Sequence, residues 1–141
     1  MDRELIERKL EDMERYIEEL KAVQGKSLKE MQTSLLTSWG IEHGLQLAIQ
    51  ALIDTGACML ASLGEHRIEE YADVIKKLGE RSVIPKAFSQ QILGMANFRN
   101  LLVHEYAEVD LGKVHDFLKT RLGDFGEFAR HIRRYLDKNR V

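Results

Sequence analysis

From Leu45 to Leu63 the apolar residues fall on one line, Leu45, Ile49, Leu52, Gly56, Met59 and Leu63, at steps of three and four. Only a helix puts such positions on one face, because a strand sends alternate residues to opposite sides. The same step recurs along most of the chain. Leu5, Ile6, Leu10, Met13, Ile17 and Leu20 form a first helix, with Gly25 as its stop. Tyr71, Val74, Ile75 and Leu78 form a short third helix ended by Gly79, and Pro85 suits the first turn of a fourth that runs to about Val103. Asp110 can cap a fifth, with Leu111, Val114, Leu118, Phe125, Ala129, Ile132 and Leu136 on one face. Short alternating runs bounded by turns, the mark of strands, are absent. The expected fold is therefore all-α, an antiparallel up-and-down bundle of four to five helices. Two local signals refine it. Ser27 with Glu30 makes a capping-box pattern, and Gly40 and Gly44 predict a bend or short helix before about residue 42.

At 141 residues the chain fits one core and is too short for two ordinary domains, so residues 1–141 are expected to form a single domain. With 44% hydrophobic and 31% charged residues, one proline and no Gly/Ser-rich tract, order is expected everywhere but the ends. A formal charge of −2 argues against a general nucleic-acid coat, which needs a broad basic face. Any RNA contact must be local. The candidates are Arg99, the group Lys76, Lys77 and Arg81, and the run Arg130, Arg133, Arg134, Lys138 and Arg140. The simpler account of that run is a solvated helix end whose cations oppose the dipole.

Cys58 is the only cysteine, so neither an intramolecular disulfide nor a cysteine zinc motif is possible. A reducing cytoplasm fits that usage. No leader pattern and no stretch approaching a membrane span is read from the sequence, so no membrane partner is expected. His43, His66, His115 and His131 lack the paired spacing of a metal site, and neither a metal nor a cofactor is expected. Asp54, set among Leu52, Ile53 and Ala57, is taken as structural, and Trp39 as a packing or interface anchor.

One stretch resists explanation by packing: Arg99, Asn100, three apolar residues, then His104, Glu105 and Tyr106. Arg99 continues the apolar line Phe88, Ile92, Met95 and Leu102, so an arginine stands where a core residue would. Asn97, Asn100 and His104 make an adjacent polar stripe at i, i+3 and i+7, which lets Asn100 orient the imidazole. A guanidinium can clamp a phosphate and an imidazole can move a proton. On a straight helix Arg99 and His104 lie about 140° apart, so a second copy of the helix or a frayed last turn would be needed to unite them. Composition alone favours a blander account, a salt-bridged arginine and a histidine that complements the dipole at a helix end.

Arg-Asn-Leu-Leu-Val-His-Glu-Tyr resembles the Arg-x4-His-x-Tyr signature of HEPN-superfamily proteins of the HepT kind, ribonuclease toxins of toxin-antitoxin pairs. Leu45 to Gly56 looks like that family's long second helix, and Tyr71 to Leu78 with Val83, Ile84 and Pro85 like its lead into the motif helix, so the likeness runs from about residue 30 to the C-terminus. The resemblance implies a HEPN-like helical dimer and a metal-independent endoribonuclease. Arg99 and His104 would be catalytic at a composite dimer site, with Asn100 in support. It also implies a cognate minimal nucleotidyltransferase antitoxin that adenylylates Tyr106. The alternative is a non-catalytic helical partner of such a transferase. A third possibility, a purely structural bundle, requires Arg99 to be satisfied wholly by internal carboxylates.

Overall fold

A computed structural model describes residues 1–103 and 109–140. Its helices are α1 (Arg3–Val23), α2 (Leu28–Thr33), α3 (Leu35–Ser62), α4 (Tyr71–Glu80), α5 (Lys86–Ile92), α6 (Gly94–Val103), α7 (Leu111–Thr120) and α8 (Leu122–Lys138). Among the described residues there is no strand. These segments group into the five arms that the apolar stripes predict. α2 with α3, α5 with α6 and α7 with α8 each make one arm interrupted by a break.

Local chemistry sets most of the helix starts. Asp2 accepts from the Leu5 amide, Ser34 from Thr37, and Asp110 from Gly112 and Lys113. Ser27 and Glu30 form the expected reciprocal box, the Glu30 amide donating to Ser27 at 3.1 Å and the Ser27 amide to Glu30 at 3.2 Å. Each of these satisfies amides that the first turn leaves open.

The glycines divide into stops and contacts. Gly64 ends α3 in a left-handed conformation, φ 87°, that other residues adopt only under strain. Gly40 and Gly44 do not bend the chain, since both lie within the 28-residue α3; the break falls at Ser34 instead. Nor does Gly79 end α4. A Cβ there would lie 2.7 Å from Ser89, so Gly79 permits α5 to close on α4, and the left-handed residue that ends α4 is Ser82, φ 58°.

α3 is the central element, packed by α1, α4, α6, α7 and α8. The core includes Ile6, Leu10, Leu45, Ile49, Leu52, Phe125 and Phe128, each at most 1% exposed. Centrality also explains a departure from the sequence expectation. α3 is long and apolar enough to cross a membrane, with mean hydropathy 1.3, yet half of its most apolar window is buried inside the bundle. Such a helix draws its apolar partners from neighbouring helices in place of lipid.

Candidate functional site

Arg99 projects from α6 toward α3 and is half-buried. Its Nε donates to Gln50 Oε1 of α3 at 2.9 Å, and the Gln50 amide nitrogen in turn donates to Asp54 Oδ1 at 2.8 Å. This chain exists because Gln50 and Asp54 are four residues apart and share a face of α3. On its other side the guanidinium lies over the Tyr71 ring of α4, 4.8 Å from the centroid, a cation–π contact. Nη1 makes a long contact, 3.4 Å, with Asn100 Oδ1. Among the described residues no carboxylate pairs with Arg99. The arginine is thus aimed by an amide and a ring while no described residue compensates its positive charge, an arrangement suited to an incoming anion.

A cleft of about 530 Å³ adjoins it, lined by Glu69, Glu70, Tyr71, Ala72, Ala96, Asn97 and Asn100. Asn97 and Asn100 of the polar stripe thus line the cleft together, and Arg99 reaches its edge through Asn100 and Tyr71. His104, Glu105 and Tyr106 lie outside the described residues, and so does the proposed support of His104 by Asn100. Beyond the cleft, Phe98 stacks on Phe117 at 4.4 Å and anchors α6 to α7.

The remaining candidates separate by their partners. Asp54 is exposed and bonded to Gln50, in keeping with a structural role that reaches Arg99 at second hand. Lys77 and Arg81 are both tied to Glu65, at 3.1 and 3.0 Å, which holds that carboxyl below its usual range chiefly through the Lys77 hydrogen bond. Arg133 is bound by Glu7 and Glu14. No three His, Cys, Asp or Glu side chains cluster where they could hold a metal, among the described residues. Gln50 and Tyr71 are the site residues that sequence reasoning missed. The one available signal was an amide breaking the run Leu-Ala-Ile-Gln-Ala-Leu-Ile at a position facing Asp54.

Comparison with known proteins assigns this helical bundle to a family. Residues 13–132 match the family described as Ribonuclease HepT-like. A tRNA nuclease HepT from Aphanizomenon flos-aquae is 30% identical over 132 residues, covering 94% of this chain and 90% of that protein. Among solved structures, a tri-AMPylated HEPN toxin of Shewanella oneidensis in complex with its MNT antitoxin superposes with a TM-score of 0.84 at 22% identity, covering 95% of this chain and 99% of that one. A cytosolic protein of unknown function from Bacillus subtilis gives a TM-score of 0.81 at 22% identity, covering 98% and 92%. The chain belongs to the Ribonuclease HepT-like family.

Proposed function

We propose that this protein is a metal-independent endoribonuclease toxin whose site is shared by two protomers, with Arg99 and His104 as catalytic residues and Asn100 in support. The observation that carries the proposal is the state of Arg99, held by Gln50 and Tyr71 with no carboxylate neutralising it among the described residues. The relative named as a tRNA nuclease makes tRNA the first substrate to test. A neighbour named as cytosolic is in keeping with a cytoplasmic site of action.

The chemistry follows from what one imidazole cannot do. Cleavage proceeds by attack of the ribose 2′-oxygen on the adjacent phosphorus. The 2′-hydroxyl gives its proton to a base, the phosphorus–5′-oxygen bond breaks, and an acid protonates the departing 5′-oxygen, leaving a 2′,3′-cyclic phosphate. One imidazole cannot be base and acid at once; His104 from each of two protomers supplies both, and Arg99 stabilises the charge building on the phosphorane. Support for a second protomer comes from exposed apolar side chains on α3 and on the motif helix. Leu35, Leu36 and Trp39 open α3 at 64%, 79% and 57% exposure, and Leu101 on α6 is 45% exposed. The run at the start of α3 is the kind of exposed apolar patch that marks an interaction surface.

Regulation follows the same logic. A cognate minimal nucleotidyltransferase adenylylates Tyr106, two residues past His104, and the added phosphates occupy the anion site and exclude RNA. The solved complex of an AMPylated toxin with its antitoxin lends this support. Cleavage of tRNA by purified protein in EDTA, with wild type and His104→Ala side by side, tests the core of the proposal. An active His104→Ala protein, or strict dependence on a divalent metal, would overturn it and leave the non-catalytic partner role. Sedimentation should show a dimer at micromolar concentration. Mass spectrometry after co-expression with the transferase should place adenylate on Tyr106 and find none on Tyr106→Phe.

A further inference from the structure

A second cleft, of about 460 Å³, opens at the far end of α4 from Tyr71, between the α4–α5 turn and the C-terminal half of α8. His131, Arg134, Tyr135 and Lys138 line it from α8, where the spacing i, i+3, i+4 and i+7 gives them one face, and Lys86 lines it from α5. Lys86, Arg134 and Lys138 are exposed and make no ion pair among the described residues, whereas nearby Lys77, Arg81 and Arg133 are all paired. Glu80 is the one carboxylate on the wall. His131 is already engaged, its Nε2 bonded to Glu127 at 3.2 Å and its ring against Phe88 at 4.9 Å, so it forms wall and not ligand.

Complementing the α8 dipole accounts for Lys138 but not for Lys86, which approaches from another helix. Ser82 is a second unexplained feature of the same rim. The α4 stop has the two hydrogen bonds of a Schellman motif, Val83 N–H to Leu78 carbonyl at 2.9 Å and Ser82 N–H to Gly79 carbonyl at 3.1 Å, with Ser82 at the left-handed position glycine usually fills. A hydroxyl-bearing residue is thus kept on the wall against its backbone preference.

We propose that this cleft binds phosphate groups of the RNA strand flanking the scissile bond, with Arg134 and Lys138 as principal contacts and Lys86 on the facing rim. α4 links it to the Arg99 site. Ten residues of helix put the two clefts about 14 Å apart along the axis, a span that a short piece of single strand bridges. In a chain of net charge −2, two local cationic points separated in this way give RNA a direction across the surface. The inference rests on the ribonuclease proposal and assigns it a substrate track.

The test uses full-length protein carrying His104→Ala, so that a fluorescein-labelled single-stranded RNA stays intact, and reads anisotropy through a salt series. Adding Arg134→Gln and Lys138→Gln should weaken binding and lower the slope of log K against log salt by about 1.4, at about 0.7 per lost phosphate contact. Lys29→Gln with Lys119→Gln, exposed cations elsewhere, matches the charge change and should leave the slope alone. If the cleft pair behaves like this control while Arg99→Ala still abolishes cleavage, the substrate track is wrong and the ribonuclease proposal stands. If wild type neither binds nor cleaves RNA, both fall. Inorganic phosphate that binds wild type but not the cleft variant, with RNA affinity equal in both, would reassign the cleft to a free anion and overturn the RNA track. Circular dichroism melts check folding, and Lys86→Gln on the opposite rim gives the same readout should the α8 pair destabilise the helix.

Discussion

Two half-buried arginines bridge helices in this molecule, and they are held in opposite ways. Arg133 on α8 gives Nε to Glu7 at 3.0 Å and both Nη atoms to Glu14 at 2.9 and 2.7 Å, a bidentate clasp on α1. Its pKa is pushed up, chiefly by the Glu14 hydrogen bonds, and the Glu14 carboxyl is lowered by the same contact. Arg99 meets an amide at 2.9 Å, a tyrosine ring at 4.8 Å and one long contact to an asparagine. Carboxylates orient a guanidinium and cancel its charge together, whereas neutral acceptors orient it and leave the charge available. The formal charge of the partners therefore separates an arginine that ties helices from one whose charge the described partners leave available.

The sharpest way to break this comparison is to remove each arginine and measure both properties. Arg99→Ala should cut RNA cleavage by about a hundredfold to a thousandfold, the usual loss when a donor to a developing oxyanion is removed, with little change in urea midpoint. Arg133→Met should show the reverse, retaining cleavage in the folded protein. Equal activity losses in the two variants would dissolve the distinction. A subtler exchange moves the negative charge without breaking the hydrogen-bonded chain. Gln50→Glu combined with Asp54→Asn gives Arg99 a carboxylate partner like that of Arg133, and should lower cleavage by about tenfold to a hundredfold, the worth of a charge-assisted hydrogen bond. Full activity in that double variant would mean that the neutrality of Gln50 is incidental.

Next in size is the structural side. Arg133→Met should cost about 1–2 kcal/mol of folding stability, less than a dry pair would, because all three side chains keep contact with water. Urea denaturation of wild type and variant measures it. A variant as stable as wild type would show that packing of α1 on α8 makes the ion pairs redundant.

How much of this was legible in the sequence follows from range. The five arms could be read because a helix writes its buried face into its own sequence at a fixed step. The breaks at Ser34, Leu93 and Arg121 could not, because the apolar stripe continues across them, even where Gly94 follows Leu93. Gly79 misled for a related cause: it serves a neighbour, Ser89, ten residues further along the chain and adjacent only once α5 has docked. The site divides in the same way. Arg99 and Asn100 carry a local motif, whereas Gln50 and Tyr71 reach Arg99 from positions 49 and 28 residues earlier and leave no pattern beside it. The sequence set Arg99 apart from Arg133, but the partners that make the contrast, Gln50 and Tyr71 against Glu7 and Glu14, come from distant helices and were hidden.

The smallest expected effect is in the acid limb of stability, and its sign tests the Arg133 clasp. Glu14 has a folded-state pKa below its ordinary value, first through the Arg133 hydrogen bonds and then through charge attraction. Its contribution is present above the usual glutamate range and lost as pH falls through the lowered folded value, when the folded protein finally takes up the proton. Glu42 has the opposite sign, because burial raises its pKa; it opposes folding at neutral pH, and that cost is relieved on acidification. Urea midpoints taken from neutral pH down through the carboxylate range should therefore fall less steeply in Arg133→Met than in wild type, since Glu14 no longer gains its partner. Glu42→Gln should do the reverse, raising the neutral midpoint and steepening the acid loss. Parallel curves for wild type and Arg133→Met would mean that the Glu14 contact adds no stability in solution, and the contrast with Arg99 would then rest on geometry alone.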